Sequence, residues 1–483
     1  MPKAKKPTFV VELPLSISAE ARRQLDASFL AATRLSNMMI QAGRSMVTAR
    51  RVDQQWEIAR KLPAKTKPQI EARQLAFAAL RKHYGFREYD FHKTIAVHKN
   101  AGSFAGRVGA NVAQKLATRV YKSFEEYVFG KRGLPRFKGY QRPLRSLEEK
   151  NMATGIRWDA EKSEVRFAGL RLPAMMPDLK KDEWLAFSLE HKTKYCRLCW
   201  RNVNGVRRYF VQLVQQGAAP IKASVRERLA PLGTVGGFDI GPSTIAWVTD
   251  TQAGLQKFCA EVDAPQAQIR VLQRRIDRQR RAGNPENFAA NGQALRGKKW
   301  HTSRGQRNSE KTLARVQGTQ ARQRKNSQGV LSNHLMAQAA SWRDDGVSVK
   351  SLQKNYGKSI GARAPGMFLQ LLTRKAERAG GSRIKQNARV LKTSQYDHCT
   401  NTYTKKLLSQ RWHVFGDGRG KVQRDIYSAF LARNAAQTVD ADGVIGWAHD
   451  AQVLEGAWGI LKPTLEKNGW FVGEGLGMEP LRA

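Results

Sequence analysis

The stretch that decides the fold is TVGGFDIGPSTIAWVTD, residues 234–250. Two apolar runs flank Gly241 and Pro242, and this pattern predicts two strands joined by a tight turn. Asp239 ends the first strand beside Gly241. A carboxylate with small neighbours lets a phosphate or a hard cation approach the backbone. The stretch therefore predicts a sheet whose first strand carries a candidate metal ligand, although a turn-forming Asp gives the same pattern.

Helices and strands alternate after this hairpin, which is typical of an α/β sheet domain. The predicted elements are helices over 264–283, 311–342, 365–379 and 424–438, and strands over 346–352 and 382–385. Turn-forming residues dominate between the last strand and the last helix, and they predict a loop-rich insertion there.

The first half of the chain has a different pattern. Residues 7–15 (PTFVVELPL) predict a strand, and Arg-rich helical sequence continues to about residue 129. Glycine and proline break it over 131–140, and short alternating segments follow over 156–216. We expect the first strand to pair with this β-rich stretch, with the helical block inserted between them. The whole chain is predicted to be a multidomain α+β protein.

The balance of charge narrows the possible partners. The 483 residues include 84 Lys and Arg against 40 Asp and Glu, a formal net charge of +44. Such a charge strains a compact protein by self-repulsion, and nucleic acid is the main polyanion that relieves it. The cations are spread along the chain rather than gathered in an amphipathic anchor, so membrane binding is not expected. Neither a signal peptide nor a transmembrane run is expected. Four scattered cysteines fit a reducing cytoplasm.

The predicted helix over 264–283 is the most cationic segment. Near its end it has only one acid, Asp277, among five arginines, which are Arg274, Arg275, Arg278, Arg280 and Arg281. A solvated helix face usually carries a more even mixture of charges. Unpaired cations at this density favour a phosphate backbone as the partner.

A second candidate acid, Asp425, begins the last predicted helix in the sequence RDIYSAF. Carboxylates from separate elements of one sheet can share Mg²⁺ ions, as in two-metal nucleases. The alternative explanation is an acid stabilised by the dipole at a helix N-terminus.

Several segments, in order along the chain, resemble an RNA-guided nuclease family that includes the transposon-encoded TnpB proteins and the compact type V CRISPR effectors. The matching segments are GLPRFK (133–138), FDIGPSTIA (238–246), RQRRAGNPENF (278–288) with KKWHTS (298–303), YGKSIGARAPG (356–366), and SQRWH (409–413) with VQRDIYSAFL (422–431). They resemble, respectively, an N-terminal segment, the first RuvC-like nuclease motif, a bridging arm, the stretch after the second motif, and the approach to the third. The similarity spans about residues 133 to 434.

The resemblance implies a domain organisation. The implied parts are a β-rich wedge-like domain (1–18 and 133–216), a helical recognition block (19–132), a linker (217–232), an α/β RNase H-like, RuvC-like domain (233–395) with a basic bridging arm (264–310), a degenerate zinc-ribbon-like nucleic-acid loop (396–421), a final RuvC-like segment (422–445) and a C-terminal tail (446–483).

The resemblance also implies the site residues. Asp239 matches the first catalytic acid of the family and Asp425 the last. The family's middle Glu falls on Lys350, because the alternating pattern of the predicted strand over 346–352 fixes the register; Asp345 takes that place only if the register shifts. A Lys ammonium about 4 Å from a divalent ion repels it by several kcal/mol. We therefore expect Mg²⁺ to be held weakly, by Asp239 and Asp425, and cleavage to be impaired or absent.

The family's four-cysteine zinc ribbon is also altered. Cys399 has only His398 and His413 as plausible companions, whereas tetrahedral zinc needs four ligands. No zinc is therefore expected. Cys196 and Cys199 form a CxxC with no second pair nearby, and we expect them to be ordinary strand residues.

The partners implied by the resemblance are a guide RNA and target double-stranded DNA, in a prokaryotic cytoplasm and on the nucleoid when bound. Three functions stay open: an RNA-guided effector that silences by occupying its target, as in antiviral defence; an active Mg²⁺-dependent endonuclease that uses Asp239, Asp425 and a third acid such as Asp345; and a generic binder of structured RNA. The reader of a flanking DNA motif is expected near Arg136 and Lys138. The expected nucleic-acid contacts are Arg136, Lys138, Arg274, Arg275, Arg278, Arg280, Arg281, Lys298, Lys299, Lys358 and Arg363.

Overall fold

The chain is a mixed α+β protein with two compact units, Met1–Pro220 and Ile221–Ala483. The structure is a computed structural model, and it describes residues 7–102, 104, 106–139, 143–203, 205–407, 409–439 and 445–473. The boundary between the units falls inside the segment 217–232 that the sequence marks as a linker. Across the described ranges, no helix is both long enough and apolar enough to cross a bilayer.

The first unit is built around an antiparallel sheet with the strand order β1-β7-β6-β2. The strands of this unit are β1 (Thr8–Pro14), β2 (Ser146–Glu148), β3 (Arg157–Asp159), β4 (Glu164–Phe167), β5 (Leu170–Pro173), β6 (Thr193–Val203) and β7 (Val206–Gln216). Val11 pairs with Leu213, so the expected pairing of the first strand with the later β-rich stretch is confirmed. A smaller sheet, β3-β4-β5, joins the same core.

Helices fill the insertion between β1 and β2. They are α1 (Ala19–Arg51), α2 (Gln54–Lys61), α3 (Lys67–His83), α4 (Glu88–Ala101) and α5 (Ala110–Val128), and a further short helix, α6 (Glu183–Leu189), precedes β6. The hydroxyl of Ser18 caps α1 by accepting from the N–H of Ala21 at 3.1 Å. An apolar stripe at helical spacing, including Leu25, Phe29 and Met39, then buries α1 in the core of this unit.

The second unit is built on a five-stranded sheet with the order β10-β9-β8-β11-β12. Its strands are β8 (Val235–Ile240), β9 (Thr244–Val248), β10 (Ala253–Lys257), β11 (Ser341–Asp344) and β12 (Arg383–Lys385). The strands β8, β11 and β12 are parallel, and β9 runs antiparallel to both of its neighbours. The hairpin predicted around Gly241 and Pro242 is thus confirmed as β8 and β9.

Helices cover this sheet and extend from it. They are α7 (Ala223–Arg226), α8 (Asp263–Ala282), α9 (Arg304–Gln338), α10 (Val349–Arg363), α11 (Pro365–Arg378), α12 (Ala388–Leu391), α13 (Arg424–Asn434) and α14 (Ala451–Lys467). The remaining strands are β13 (Tyr396–Asp397), β14 (Thr402–Tyr403), β15 (Trp412–Val414), β16 (Lys421–Gln423), β17 (Ala436–Val439), β18 (Ile445–Ala448) and β19 (Phe471–Val472).

The strand predicted over 346–352 is wrong, and its place in the sheet is taken by β11, which ends at Asp344. Gly346 adopts a φ of +80°, and a Cβ there would lie 2.0 Å from the carbonyl oxygen of Gln386, so the chain turns at a point that suits glycine. The hydroxyl of Ser348 then accepts from the N–H of Ser351 and caps α10. Residues 349–352 are therefore helical, and their alternating pattern does not mark a strand.

The expectation of a C-terminal tail over 446–483 is also wrong for the described part of that range. Helix α14 buries one face on α13, through Leu454, Trp458, Leu461 and Leu465. Their spacing of four, three and four residues is that of an amphipathic helix. Strand β19 pairs with β16 and closes the small sheet β15-β16-β19 beside it.

Candidate active site and basic surfaces

Asp239 projects from β8 toward α13. Phe238 and Ile240 face the opposite side of the sheet, where they enter the core beneath α9 and α11. The parallel register pairs Asp344 with Phe238. Because successive residues of a strand face opposite sides of a sheet, the next residues, Asp345 and Asp239, lie next to each other on the α13 side. The end of β11 thus brings a second carboxylate beside Asp239.

Helix α13 supplies the third carboxylate. The side chain of Gln423 caps the helix by accepting from the N–H of Ile426 at 2.8 Å, and Asp425 lies in the first turn. The backbone of α13 touches β8 closely at Gly237, where an added Cβ would lie 2.2 Å from the carbonyl oxygen of Ala429. Two residues along a strand and four along a helix both span about 6–7 Å. The contact at Gly237 therefore carries Asp425 to the level of Asp239.

The pKa values of the acids reflect how close the carboxylates lie to one another. Burial raises the pKa of Asp239 well above its ordinary value, and the neighbouring carboxylates of Asp345 and Asp425 raise it further. Burial likewise raises the pKa of Asp345 to about 6, against the N–H of Val347, which donates to it at 3.1 Å. Acids that share a partly dehydrated site repel one another, and a cation between them relieves that repulsion.

Lys350 does not lie on this strand or in this site. Its side chain is exposed on the first turn of α10, six residues beyond the end of β11. The predicted register for the middle acid is therefore wrong, and the residue that follows β11 at the sheet edge is Asp345. The repulsion expected between Lys350 and a bound cation loses its structural basis.

Asp344, the residue before Asp345, has a structural role. Its carboxylate is buried and pairs with the guanidinium of Arg383 on β12 at 2.7 Å. Burial raises the pKa of Asp344 and Arg383 opposes the shift. Asp345 also has an anchor, because the hydroxyl of Thr393 approaches its second oxygen at 3.5 Å. Neither partner has a sequence pattern that predicts it.

A separate cluster occupies the segment that resembles a degenerate zinc ribbon. Asp397, His398 and Cys399 each offer one possible ligand atom, and these atoms lie within 4.8 Å of one another. Among the described residues this is the only such group of three His, Cys, Asp or Glu side chains, and the carboxylates of Asp239, Asp345 and Asp425 do not form one.

Hydrogen bonds already engage most of this cluster. Asp397 accepts from the N–H of Cys399 at 2.9 Å and of Gly416 at 2.8 Å, and these bonds, with one from His413, lower its pKa in spite of burial. His398 shares a hydrogen bond of 2.7 Å with the hydroxyl of Tyr427. Burial raises the pKa of the Cys399 thiol, which therefore stays protonated. That the segment holds no zinc stays a prediction.

The two cysteines of the CxxC lie on β6. The thiol of Cys196 is buried, and burial raises the pKa of Cys196 to about 12 and that of Cys199 to about 11. Both thiols are thus protonated and poor metal ligands.

The basic helix α8 presents two kinds of arginine. The side chains of Arg274, Arg275 and Arg278 are exposed, and within the described ranges none of them has an ion pair or a hydrogen bond. Arg280 instead lies over the ring of Trp300 at 3.7 Å, and Arg281 pairs with Asp277 at 2.8 Å. The first three cations are free for a polyanion, whereas the last two also hold the arm together.

The other side chains of the second unit that were expected to contact nucleic acid are also of two kinds, exposed and buried. Lys298, Lys299 and Lys358 are exposed. Arg363 is 8% exposed, so its expected role as a nucleic-acid contact is wrong. Its guanidinium makes a bidentate pair with Asp263 at 2.7 and 2.8 Å and donates to the carbonyl of Phe258 at 2.8 Å. These bonds fix the beginning of α8 to the end of α10.

No family model matches the chain, and no curated protein matches it. Two solved structures are similar to it over most of its length. A cryo-EM structure of a Cas12f1–sgRNA–target DNA complex matches at 10% identity and a TM-score of 0.47, covering 89% of this chain and 99% of that one. A CRISPR-Cas12f ternary complex matches at 10% identity and a TM-score of 0.26, covering 88% and 99%. Both of these complexes contain Cas12f proteins, and this is what the chain is similar to.

Proposed function

We propose that the chain is an RNA-guided DNA-binding protein whose second unit is an Mg²⁺-dependent nuclease with the acids Asp239, Asp345 and Asp425. The observation that carries the proposal is the convergence of these three carboxylates from β8, β11 and α13 on one face of the sheet. The proposal is supported by the motif order along the chain and by the mixed sheet, in which only β9 runs opposite to the other strands.

The donor set fits magnesium. Carboxylate oxygens are the protein ligands that Mg²⁺ prefers, and the site holds no soft ligand. When bound there, Mg²⁺ supplies an activated water and stabilises the leaving oxygen of a phosphodiester. Asp239 comes from β8 and Asp425 from the first turn of α13, so both would be held by regular elements. Asp345, which the N–H of Val347 orients, completes it from the end of β11.

The charge of the protein supports a nucleic-acid partner, such as a guide RNA and its target. A net charge of +44 and the three free arginines of α8 match a polyanion with one negative charge per phosphate. In an RNA-guided complex, base pairing reads the target sequence, while the protein holds the heteroduplex by its backbone. The protein then needs exposed, unpaired cations, and α8 provides three of them.

Binding without cleavage is the second candidate. It is favoured by the anchoring of Asp345, whose two oxygens already accept from Val347 and Thr393, and by the separation of the three carboxylates. A protein of this kind silences its target by occupancy, since a stable R-loop blocks a polymerase. The two candidates share the guide and differ only in hydrolysis.

One experiment separates the candidates. The RNA that co-purifies with the protein is sequenced, a matched guide and target plasmid are built, and the complex is incubated with Mg²⁺. Guide-dependent cleavage that Asp239→Ala abolishes supports the nuclease. A guide-dependent shift of the target without cuts supports binding alone. A protein that retains no RNA and ignores added guide contradicts both.

A further inference from the structure

A small groove in the first unit has a cationic lining. It lies between α1, α5 and the segment 132–138, and its volume is about 150 Å³. The polar side chains that line it are Ser36, Arg119, Ser123, Arg132, Arg136 and Lys138. All of these groups donate hydrogen bonds, and no carboxylate of the described residues lines the groove. A lining of four cations and two hydroxyls fits an anionic ligand that only accepts hydrogen bonds, and a phosphate is such a ligand.

Two side chains of α1 clamp the segment that carries Arg136 and Lys138. The amide of Asn37 donates to the carbonyl of Lys138 and accepts from its N–H, each at 2.9 Å. Two helical turns further along α1, the guanidinium of Arg44 donates twice to the carbonyl of Pro135, at 3.2 and 2.7 Å. The backbone is therefore held at both ends of the short stretch, which lowers the entropy cost of presenting its side chains.

The clamp also sorts the side chains of this stretch. Phe137 packs under the guanidinium of Arg44 at 4.5 Å and does not line the groove, whereas Arg136 and Lys138 do. In the described part of the chain, the side chains of Arg136 and Lys138 have no ion pair. The other two cations are partly used, Arg132 by Glu126 at 3.1 Å and Arg119 by the carbonyl of Ser146 at 3.2 Å.

We propose that this groove binds one backbone phosphate of a bound polynucleotide and reads no sequence. The inference rests on the proposed nucleic-acid function and replaces the expected motif reader at Arg136 and Lys138 with an anchor. Phosphate contacts fix the position and register of a nucleic acid, whereas contacts with base edges specify its sequence. Base reading at this place is the competing outcome of the test.

The test is a salt titration of the double variant R136A/K138A in the full chain. Binding of guide RNA alone, and of target duplexes that differ only in the flanking motif, is measured between low and moderate salt. An anchor for one phosphate predicts equal weakening for all flanking sequences and a slope of log K against log salt that is shallower by about 1. If the slope becomes shallower for guide RNA alone, the groove holds the guide. If it becomes shallower only for the duplex, the groove holds the target DNA.

Two further variants make the outcome decisive. Arg44→Ala keeps the groove cations but releases the clamp, and it is expected to weaken binding in the same sequence-independent way. The double variant K180A/K181A removes two exposed charges elsewhere in the unit and should leave the slope closer to the wild-type value. Thermal unfolding checks that each variant is folded.

The failures are distinguishable. Weakening confined to one flanking motif, or an unchanged slope in every arm, overturns the phosphate anchor. An unguided duplex is titrated in parallel, because it reports phosphate binding even without a guide. If guided binding is absent while the slope on the unguided duplex still depends on Arg136 and Lys138, the proposed function has failed and the anchor stands.

Discussion

Gly237 on β8 lies directly against the backbone of Ala429 on α13, so closely that a Cβ atom at Gly237 would be 2.2 Å from the Ala429 carbonyl oxygen. One turn of helix before Ala429 is Asp425, and two residues after Gly237 is Asp239. The distance between the strand and the helix, and with it the spacing of two candidate metal ligands, therefore depends on the absence of a side chain at position 237.

Gly237→Ala is expected to damage both stability and cleavage. The added methyl group pushes α13 off the sheet, and overpacking of this kind costs about 1–3 kcal/mol of unfolding free energy. Denaturant unfolding and plasmid cleavage are the measurements. Gly459→Ala is the matched control, because a Cβ there meets no atom within 4 Å and alanine favours a helix. Wild-type cleavage by the Gly237→Ala protein would contradict the close contact.

Asp345→Ala is expected to abolish cleavage, whereas Lys350→Glu is expected to leave cleavage unchanged. The first change removes the carboxylate at the end of β11, and the second alters an exposed side chain on α10. If Lys350 faced the metal, its change to Glu would restore an acid and increase the cleavage rate. Target binding by both variants, measured without Mg²⁺, shows whether they still assemble with guide and DNA.

Charge reversal on the free arginines of α8 should weaken guide or heteroduplex binding. In the variant R274E/R278E, two unpaired cations become anions, so affinity falls and the salt dependence becomes shallower. Lys467→Glu, at an exposed position at the end of α14, controls for a charge reversal elsewhere on the second unit. An unaltered slope for R274E/R278E would remove α8 from the nucleic-acid surface.

His398 should make the second unit sensitive to acid. Burial lowers the pKa of His398 to about 4, from an ordinary value of 6.5, while Glu455 at 3.2 Å opposes the shift and Arg419 and His413 add to it. Between those two pKa values the unfolded chain binds more protons, so unfolding free energy falls as the pH falls from 6.5 to 4, by about 3 kcal/mol at most.

The measurement is thermal unfolding between pH 7.5 and 4.5. His398→Gln is expected to lose part of the acid sensitivity, although the variant is less stable at neutral pH because it loses the bond with Tyr427. His301→Gln, a change at an exposed side chain, is the control. Equal pH profiles for wild type and His398→Gln would show that another group controls the acid limb.

Local patterns predicted the parts of the site that lie in regular elements. The hairpin at Gly241 and Pro242 places Asp239, and the sequence RDIYSAF places Asp425 at a helix start. The register that put Lys350 in place of the middle acid was wrong because VSVKSL alternates like a strand, whereas a glycine with positive φ and a serine cap make it the start of a helix. The positive φ of Gly346 follows from a close approach to Gln386, forty residues away, which no local pattern carries.

Burial of charge was equally invisible in the sequence. Arg363 and Arg136 were both expected to contact nucleic acid, yet the first is paired with Asp263 and the second is free at a groove. The C-terminal helix was missed for a simpler reason. Its apolar spacing through Leu454, Trp458 and Leu461 is regular, and this pattern was a usable signal.

Arg363 has one more consequence. Its neighbour Ser359 donates to the carbonyl of Pro242, in the turn that follows Asp239, and to Arg363 the same hydroxyl is an acceptor, at 3.0 Å. A continuous series of bonds thus runs from the root of α8 at Asp263 to the rim of the acidic site. A load on the far end of α8 is therefore transmitted through Arg363 and Ser359 to the turn that follows Asp239, so it also acts on the geometry of the acidic site.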